Sequence, residues 1–230
     1  GEAVRELEKS IRLDPEFAPG QAQLAIAIAL SADDPSSYGD LTVAEINARA
    51  VPHAETAMRL NPELAEAWGA KSIIANANSD WPAAMEYATK ALALNPVYTD
   101  ALNWLQTSAL QIGRYQEAEA AVNKLMEVDP LSVVGRINYL SNHLSQTDPD
   151  AARAAAMELV GQHQWAGYAT LSRIAISQGE VSEALFWSLK SYAADPLDRW
   201  SNQFMVWRFC DLDMPQEALR VSDVTQVFAE

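Results

Sequence analysis

His53, His143 and His163 are the three imidazoles of the chain, and Cys210 is its one thiol. Imidazoles become metal ligands or general bases when their spacing brings them together, as two His four apart on a helix do around a Glu. Here no such set exists. A single Cys closes no disulfide within the chain and builds no cysteine-based metal site. On an apolar helix, Cys210 reads as a small buried residue. Neither Gly-x-Gly-x-x-Gly, nor a phosphate loop ending in Gly-Lys-Ser/Thr, nor a Gly-x-Ser-x-Gly elbow occurs. The 31 Asp and Glu outnumber the 16 Lys and Arg, but they run along helix faces and no pair is set apart for acid–base work. The expectation is a chain with no catalytic residue, no metal and no cofactor. A net charge of −15 repels phosphate backbones and anionic lipid. Direct nucleic-acid binding by this segment is therefore not expected. Nor is membrane insertion, since the longest apolar run, Ala22 to Leu30, is far too short to span a bilayer.

Near the end, RWSNQFMVWRFCDLDM concentrates aromatic residues. Met205, Val206 and Phe209 form one apolar stripe, and Trp200, Phe204 and Trp207 form a second at i, i+4, i+7. A helix apolar on two faces is buried on both or carries an interface. Two readings stand: a homodimer contact, or a stripe covered by Val224, Val227 and Phe228 of the tail.

The elements that position these residues follow from one stretch, LAEAWGAKSIIANANSDWPAAMEYATKALALNP, from Leu64 to Pro96. Its first half places Leu64, Trp68, Ile74 and Ala75 at helical spacing, and a break follows at Asn76 to Asp80. A second helix opens at Trp81-Pro82, where a proline is tolerated because the first turn has no partner for its N–H. It stops at Asn95-Pro96. The unit recurs. Pro62, Pro96 and Pro130 stand 34 residues apart, Pro196 follows after 66, and Pro15 precedes Pro62 by 47. The register puts a small residue twelve before each proline: Ala3, Ala50, Ala84, Ala118 and Ala184.

On these residues the chain resembles the tetratricopeptide-repeat (TPR) family over nearly its whole length, because 34 residues is the length of that helix–turn–helix unit. The family pattern falls on Trp68, Lys71, Ser72, Ala75, Ala84, Ala88, Ala91 and Pro96 in one repeat. In the next it falls on Leu102, Leu105, Gln106, Ala109, Ala118, Val122, Leu125 and Pro130. In a later one it falls on Tyr168, Leu171, Ser172, Ala175, Ala184, Ser188, Ser191 and Pro196. Lys71 and Gln106 depart from it and point to local looseness. The resemblance implies an all-α, right-handed solenoid. A half repeat runs to residue 17, and a repeat with a 13-residue insertion spans 18–64. Full repeats follow at 65–98, 99–132, 133–164 and 165–198, and a degenerate one ends the array at 199–230. The insertion, around Ser31 to Leu41, reads as a loop. Thr42 and Glu45 form a capping box, and Pro52 either kinks its helix or marks the helix start. The 133–164 repeat is the least regular, with Gly161 in place of the proline stop.

The resemblance also implies a use. First helices line a concave side in this family. The concave positions fall on Asn103, Trp104, Thr107 and Gln111, then on Asn138, Ser141 and Asn142. Further along they fall on Thr170 and Arg173, and then on Trp200, Gln203, Phe204 and Trp207. Side-chain amides offer donor and acceptor to an extended backbone, so a protein or peptide partner is expected there. The other reading is a merely solvated polar face. The positions of the family's clamp for acidic chaperone tails carry Gly69, Ile73, Asn103, Val134 and Asn138, so that clamp is absent. A narrower resemblance joins FAPGQAQLAIAIAL and AVPHAETAMRLNPELAEAW to the C-terminal TPR regions of bacterial multidomain signalling proteins: winged-helix regulators, cyclases and kinases. It implies a docking or sensory region of a longer protein, cytoplasmic or periplasmic. The alternatives are a spacer that self-associates through Trp200, Phe204 and Trp207, or a regulator of an attached enzyme.

Overall fold

The computed structural model describes residues 2–31, 41–195 and 199–227, with the side chains of 199–204 and 222–227 left aside. The chain is all-α. Its helices are α1 (Glu2–Leu13), α2 (Ala18–Ala29), α3 (Val43–Leu60), α4 (Ala65–Ala77), α5 (Trp81–Leu94), α6 (Thr99–Gln111) and α7 (Tyr115–Val128). After them, α8 starts at Val133–Asn138, widens into π-type turns over Tyr139–Leu144 and closes with Ser145–Thr147. Then come α9 (Pro149–Gln162), α10 (Gln164–Ser177), α11 (Val181–Ala194), α12 (Arg199–Asp211) and α13 (Pro215–Val227). They form two compact units, Gly1–Pro130 and Leu131–Glu230.

Each helix ends for a local reason. At Asn61, Asn95, Asp129, His163 and Asp195 the backbone turns extended, with φ of −148, −134, −137, −141 and −146°. Each of these residues still donates its N–H to the carbonyl four back. The break in the irregular repeat is therefore at His163. Gly161, expected to stop that helix, lies inside α9. The first helices α4, α6, α10 and α12 end on a left-handed residue: Ser79 (φ 57°), Gly113 (75°), Gly179 (79°) and Asp213 (56°). Gly adopts that conformation without steric cost, and the non-Gly pair bear a modest one. The equivalent place in α8, Thr147, stays helical, and the π-type turns absorb the extra helical residues instead.

The starts are capped as their side chains dictate. Thr42 Oγ1 accepts from the Glu45 N–H and the Glu45 carboxylate accepts from the Thr42 N–H, the expected capping box. Those hydrogen bonds from Thr42 hold the Glu45 carboxyl below the usual range. Asp80, Ser132 and Asp148 cap α5, α8 and α9 in the same sense. Helix α3 runs unbroken through Pro52, so Pro52 does not mark its start. The expected insertion lies outside the described residues from 32 to 40, but its ends are tied, because the Leu41 N–H donates to the Ser31 carbonyl at 2.9 Å.

Packing within a pair depends on the small slots. Ala50, Ala84, Ala118, Ala152 and Ala184 are buried. With only a methyl at the crossing, the helices come close enough for Ser72 Oγ to reach the Ala84 carbonyl at 2.9 Å and Ser172 Oγ the Ala184 carbonyl at 2.9 Å. Ala3, on the first helix, is exposed. In the first unit the largest apolar cluster joins α2, α3, α4 and α6 through Leu24, Ile28, Ile46, Ile74 and Trp104. In the second, Leu140, Leu171 and Ile174 knit α8 to α10, with Ala152 and Ala156 of α9.

The expected looseness at Lys71 and Gln106 is corrected. Gln106 is buried. Lys71 Nζ sits 4.5 Å from the Tyr87 ring centroid and 5.5 Å from Trp68, and Lys90 Nζ covers the same rings at 5.7 and 4.7 Å. A cation over an aromatic face is attracted by the ring quadrupole, so the lysine stem fills an apolar slot while its ammonium stays satisfied. A hundred residues on, Tyr168 stacks on Trp187 at 5.9 Å, with Lys190 Nζ 5.8 Å from Tyr168.

Candidate functional site

The first-helix faces are the surface on which the expected binding residues fall. Within the first unit α2 packs on α4 and α4 on α6; within the second, α8 packs on α10. A first helix in such a stack touches its own second helix and the first helices on either side. In α10 this buries Ala166, Gly167, Ala169, Thr170, Leu171, Ser172, Ile174 and Ala175. Only a narrow strip remains open.

That crowding overturns three expected positions. Trp104 is 6% exposed: its ring meets Tyr98 edge-on at 6.0 Å and belongs to the core. Gly69 on α4 makes room for this pair, since a Cβ there would stand 2.8 Å from Tyr98 and 3.0 Å from Trp104. Burial pushes the Tyr98 phenol pKa up, and among the described residues its hydroxyl has no partner. Ser141 and Thr170 are buried too, their hydroxyls donating to the Ile137 and Ala166 carbonyls one turn back. A hydroxyl that gives its proton to its own helix and is sealed in a packed seam is out of a ligand's reach.

The remaining positions divide by unit. On α6, Asn103 and Thr107 are half-buried and Gln111 is exposed. Ser108, buried one residue beyond Thr107, bridges Asn76 Oδ1 of α4 at 2.9 Å and the Trp104 carbonyl at 2.7 Å. In the second unit Arg173, Asn138 and Asn142 come together. Arg173 Nη2 donates to Asn142 Oδ1 at 2.9 Å and Nη1 to Asn138 Oδ1 at 3.4 Å. Asn142 stands in the π-type turns, and Gln178 Nε2 holds their end by donating to the Ser145 carbonyl at 3.2 Å. Burial lowers the Arg173 pKa to about 10, which leaves it a cation at neutral pH.

On α12 the side chains of Trp200, Gln203 and Phe204 lie outside the described residues, as do Val224, Val227 and Phe228. Of that stripe Trp207 is 39% exposed, while Met205 and Arg208 turn inward. Cys210, expected inside, is exposed. The buried arc of α12 runs through Met205 and Arg208, and Cys210 falls off it. Arg208 Nη2 pairs with Asp211 at 2.8 Å.

The imidazoles stay apart. His53 Nδ1 is 2.7 Å from Gln21 Oε1, and Gln21 Nε2 donates to the Pro15 carbonyl, so His53 is the donor in the first contact. His143 packs against Tyr139 at 5.2 Å. Among the described residues no group of three His, Cys, Asp or Glu gathers as a metal site requires, and no helix is long and apolar enough to cross a membrane.

Two features escaped the sequence reading. One is the aromatic–lysine pair of clusters, legible only as the recurrence of Trp/Tyr, Tyr/Trp and Lys at Trp68, Tyr87, Lys90 and Tyr168, Trp187, Lys190. The other is a cleft of about 390 Å³ between α3, α4 and α5, lined by Asn47, Glu55, Lys71, Asn78, Asp80 and Tyr87 among others. Across it the Asn47 and Asn78 amides pair reciprocally at 2.8 Å.

No protein-family model matches the chain, and no curated protein does. Solved structures do. A chain of the APC/C hetero-tetramer Cut9–Hcn1 superposes with a TM-score of 0.67 at 12% identity, over 97% of this chain and 42% of that one. A tetratricopeptide repeat protein from Parabacteroides merdae gives 0.65 at 14% identity, over 99% and 86%. YrrB, described as a TPR protein with an unusual peptide-binding site, gives 0.52 at 15% identity, over 86% and 97%. At such identities the likeness is one of fold, and with the helix pairs and their 34-residue register it establishes that this chain folds as a stack of tetratricopeptide repeats.

Proposed function

We propose that the chain is a binding scaffold whose first-helix faces hold a protein segment, and that it performs no chemistry of its own. The observation that carries this reading is the polar side chains that packing leaves half-buried or exposed on the first-helix faces of each unit: Asn103, Thr107 and Gln111 on α6 in the first, and Asn138, Asn142 and Arg173 in the second. Amide groups along a helix give an extended backbone alternating donors and acceptors. Repeat stacks commonly bind through such faces, and YrrB, similar in fold, is described by its peptide-binding site. The wider setting we infer is the docking region of a larger bacterial signalling or regulatory protein, following the sequence resemblance.

A crosslinking pull-down with the chain as bait tests this. The parent is compared with a variant carrying Asn103→Ala, Gln111→Ala and Asn138→Ala, none of which lies in the core. Partners held by the parent and lost by the folded variant support the proposal. Identical recoveries overturn it. One observation favours a second reading, self-association through α12: Trp207 is a large ring 39% exposed on a helix with further aromatic residues. Light scattering at high concentration decides it, since a strict monomer rules it out.

A further inference from the structure

We propose that the cleft between α3, α4 and α5 is a small-molecule site and that its ligand is free arginine. The guanidinium meets Asp80, the apolar stem crosses the floor, and the zwitterionic head lies between Glu55 and Lys71. The site opens between two second helices, so it does not depend on the first-helix faces holding a segment.

The repeat register carries the same cleft into the second unit, where the chain itself fills it. Matching the buried slots Ala50 to Ala152 and Ala84 to Ala184 puts Arg153 at the place of Val51, Glu180 at that of Asp80 and Glu183 at that of Ala83. The Arg153 guanidinium crosses from α9 to pair with Glu180 and, at 3.5 Å, with Glu183, and its side chain is only 26% exposed. An arginine stem therefore fits this groove, with its cation at the residue just before the third helix. In the first unit Val51 is too short to reach across. The cleft there keeps about 390 Å³, a size common among small-ligand sites. Asp80 accepts from the Ala83 N–H, and among the described residues no cation lies within ion-pair distance of its carboxylate.

The rest of the lining selects the other end of the ligand. The floor is apolar, made by Val51, Ala54, Ile74 and Ala83. Asn47 pairs with Asn78 near Asp80. Glu55 stands eight residues beyond Asn47, about 12 Å along α3. Counting back from Asn78 along antiparallel α4 brings Lys71 level with Glu55, and the Lys71 ammonium lies over the Tyr87 ring at that end. A carboxylate with an ammonium beside it matches the ammonium and carboxylate that an amino acid carries on one carbon. A bare diamine is a poorer match, because Lys71 repels its second cation. The fold does not require this polar set. Thirty-four residues on, the places of Glu55, Lys71 and Asp80 hold Thr89, Leu105 and Arg114.

Isothermal titration of the full chain with arginine tests the proposal. Three analogues remove its charges: citrulline lacks the guanidinium charge, agmatine lacks the carboxylate, and Nα-acetylargininamide lacks both charges of the head. The expected result is saturable one-to-one binding of arginine, weakened about tenfold or more in each analogue. Asp80→Asn keeps a helix cap while losing the charge, and it should weaken arginine to a similar degree. So should Glu55→Gln, at an exposed position where folding is not at stake. Val51→Arg copies Arg153 into the cleft and should abolish binding without lowering the melting temperature. No saturable binding of arginine overturns the proposal. Citrulline or agmatine binding as tightly as arginine overturns it too, since one end of the site then reads nothing. Nα-acetylargininamide binding as tightly makes the occupant an arginine of a protein segment and overturns the assignment to the free amino acid. Arginine binding unchanged in Glu55→Gln and Val51→Arg puts it elsewhere on this acidic surface and overturns the site.

Discussion

The hydroxyl of Ser72 donates to the Ala84 carbonyl at 2.9 Å across the crossing of α4 and α5. A hundred residues later Ser172 makes the same bond to Ala184. In the second copy Ser188 lies 2.8 Å from Ser172. Since Ser172 has one proton and gives it to Ala184, Ser188 donates to Ser172. Ser72→Ala should cost about 1 kcal/mol, the usual net worth of one buried hydrogen bond. Ser172→Ala should cost about 2 kcal/mol, because it also leaves the buried Ser188 hydroxyl without its acceptor. Urea melts of the two variants check the order.

Two helical glycines should respond differently to the same added methyl. Gly→Ala in an open helix stabilises by about 1 kcal/mol. At Gly69 a Cβ would stand 2.8 Å from the far edge of the Tyr98 ring, a side chain that must give up part of its contact with Trp104 to make room. At Gly167 it would stand 2.6 Å from the Val160 Cα, and backbone yields only if α10 moves off α9. Gly69→Ala should therefore cost about 1 kcal/mol and Gly167→Ala about 3 kcal/mol. Thermal melts of both variants measure the gap, and equal losses would contradict the packing argument.

Trp104→Ala should damage the fold and not a binding face. The ring is buried in the cluster that joins α2, α4 and α6, and truncating a buried Trp costs about 3–5 kcal/mol. Calorimetry should show a large loss of melting temperature. A variant as stable as the parent would return Trp104 to the surface.

His53 should give the fold a pH dependence of known sign. Burial lowers its pKa below the ordinary value, with Glu8 opposing and Arg49 assisting. A depressed histidine pKa means that the unfolded chain takes up the proton more readily, so stability is greatest above about pH 6.5 and falls as pH drops through it. His53→Gln can keep the bond to Gln21 but cannot titrate. Its melting temperature should fall less than the parent's between about pH 7.5 and 5.5. Parallel slopes would show that His53 contributes nothing there.

What the sequence determined was local and periodic. Asp and Asn ahead of proline break helices at Asn61, Asn95, Asp129 and Asp195 because the backbone before a proline avoids the helical region. The Thr42 capping box and the small slots at Ala84, Ala118 and Ala184 are likewise written in neighbouring residues. Spacing alone therefore settles that the chain is all-α, and which helices pair. The tertiary structure decided which flank of each first helix stays open. That depends on how three neighbours dock on it, and no local pattern encodes the docking. It sends Trp104, Ser141 and Thr170 inside and turns Cys210 out. It also seats Lys71 over rings and lets His163 break the chain without a proline. By the same route the π-type turns of α8 bring Asn142 to Arg173, two residues far apart in the chain whose shared geometry exists only once α8 and α10 have packed.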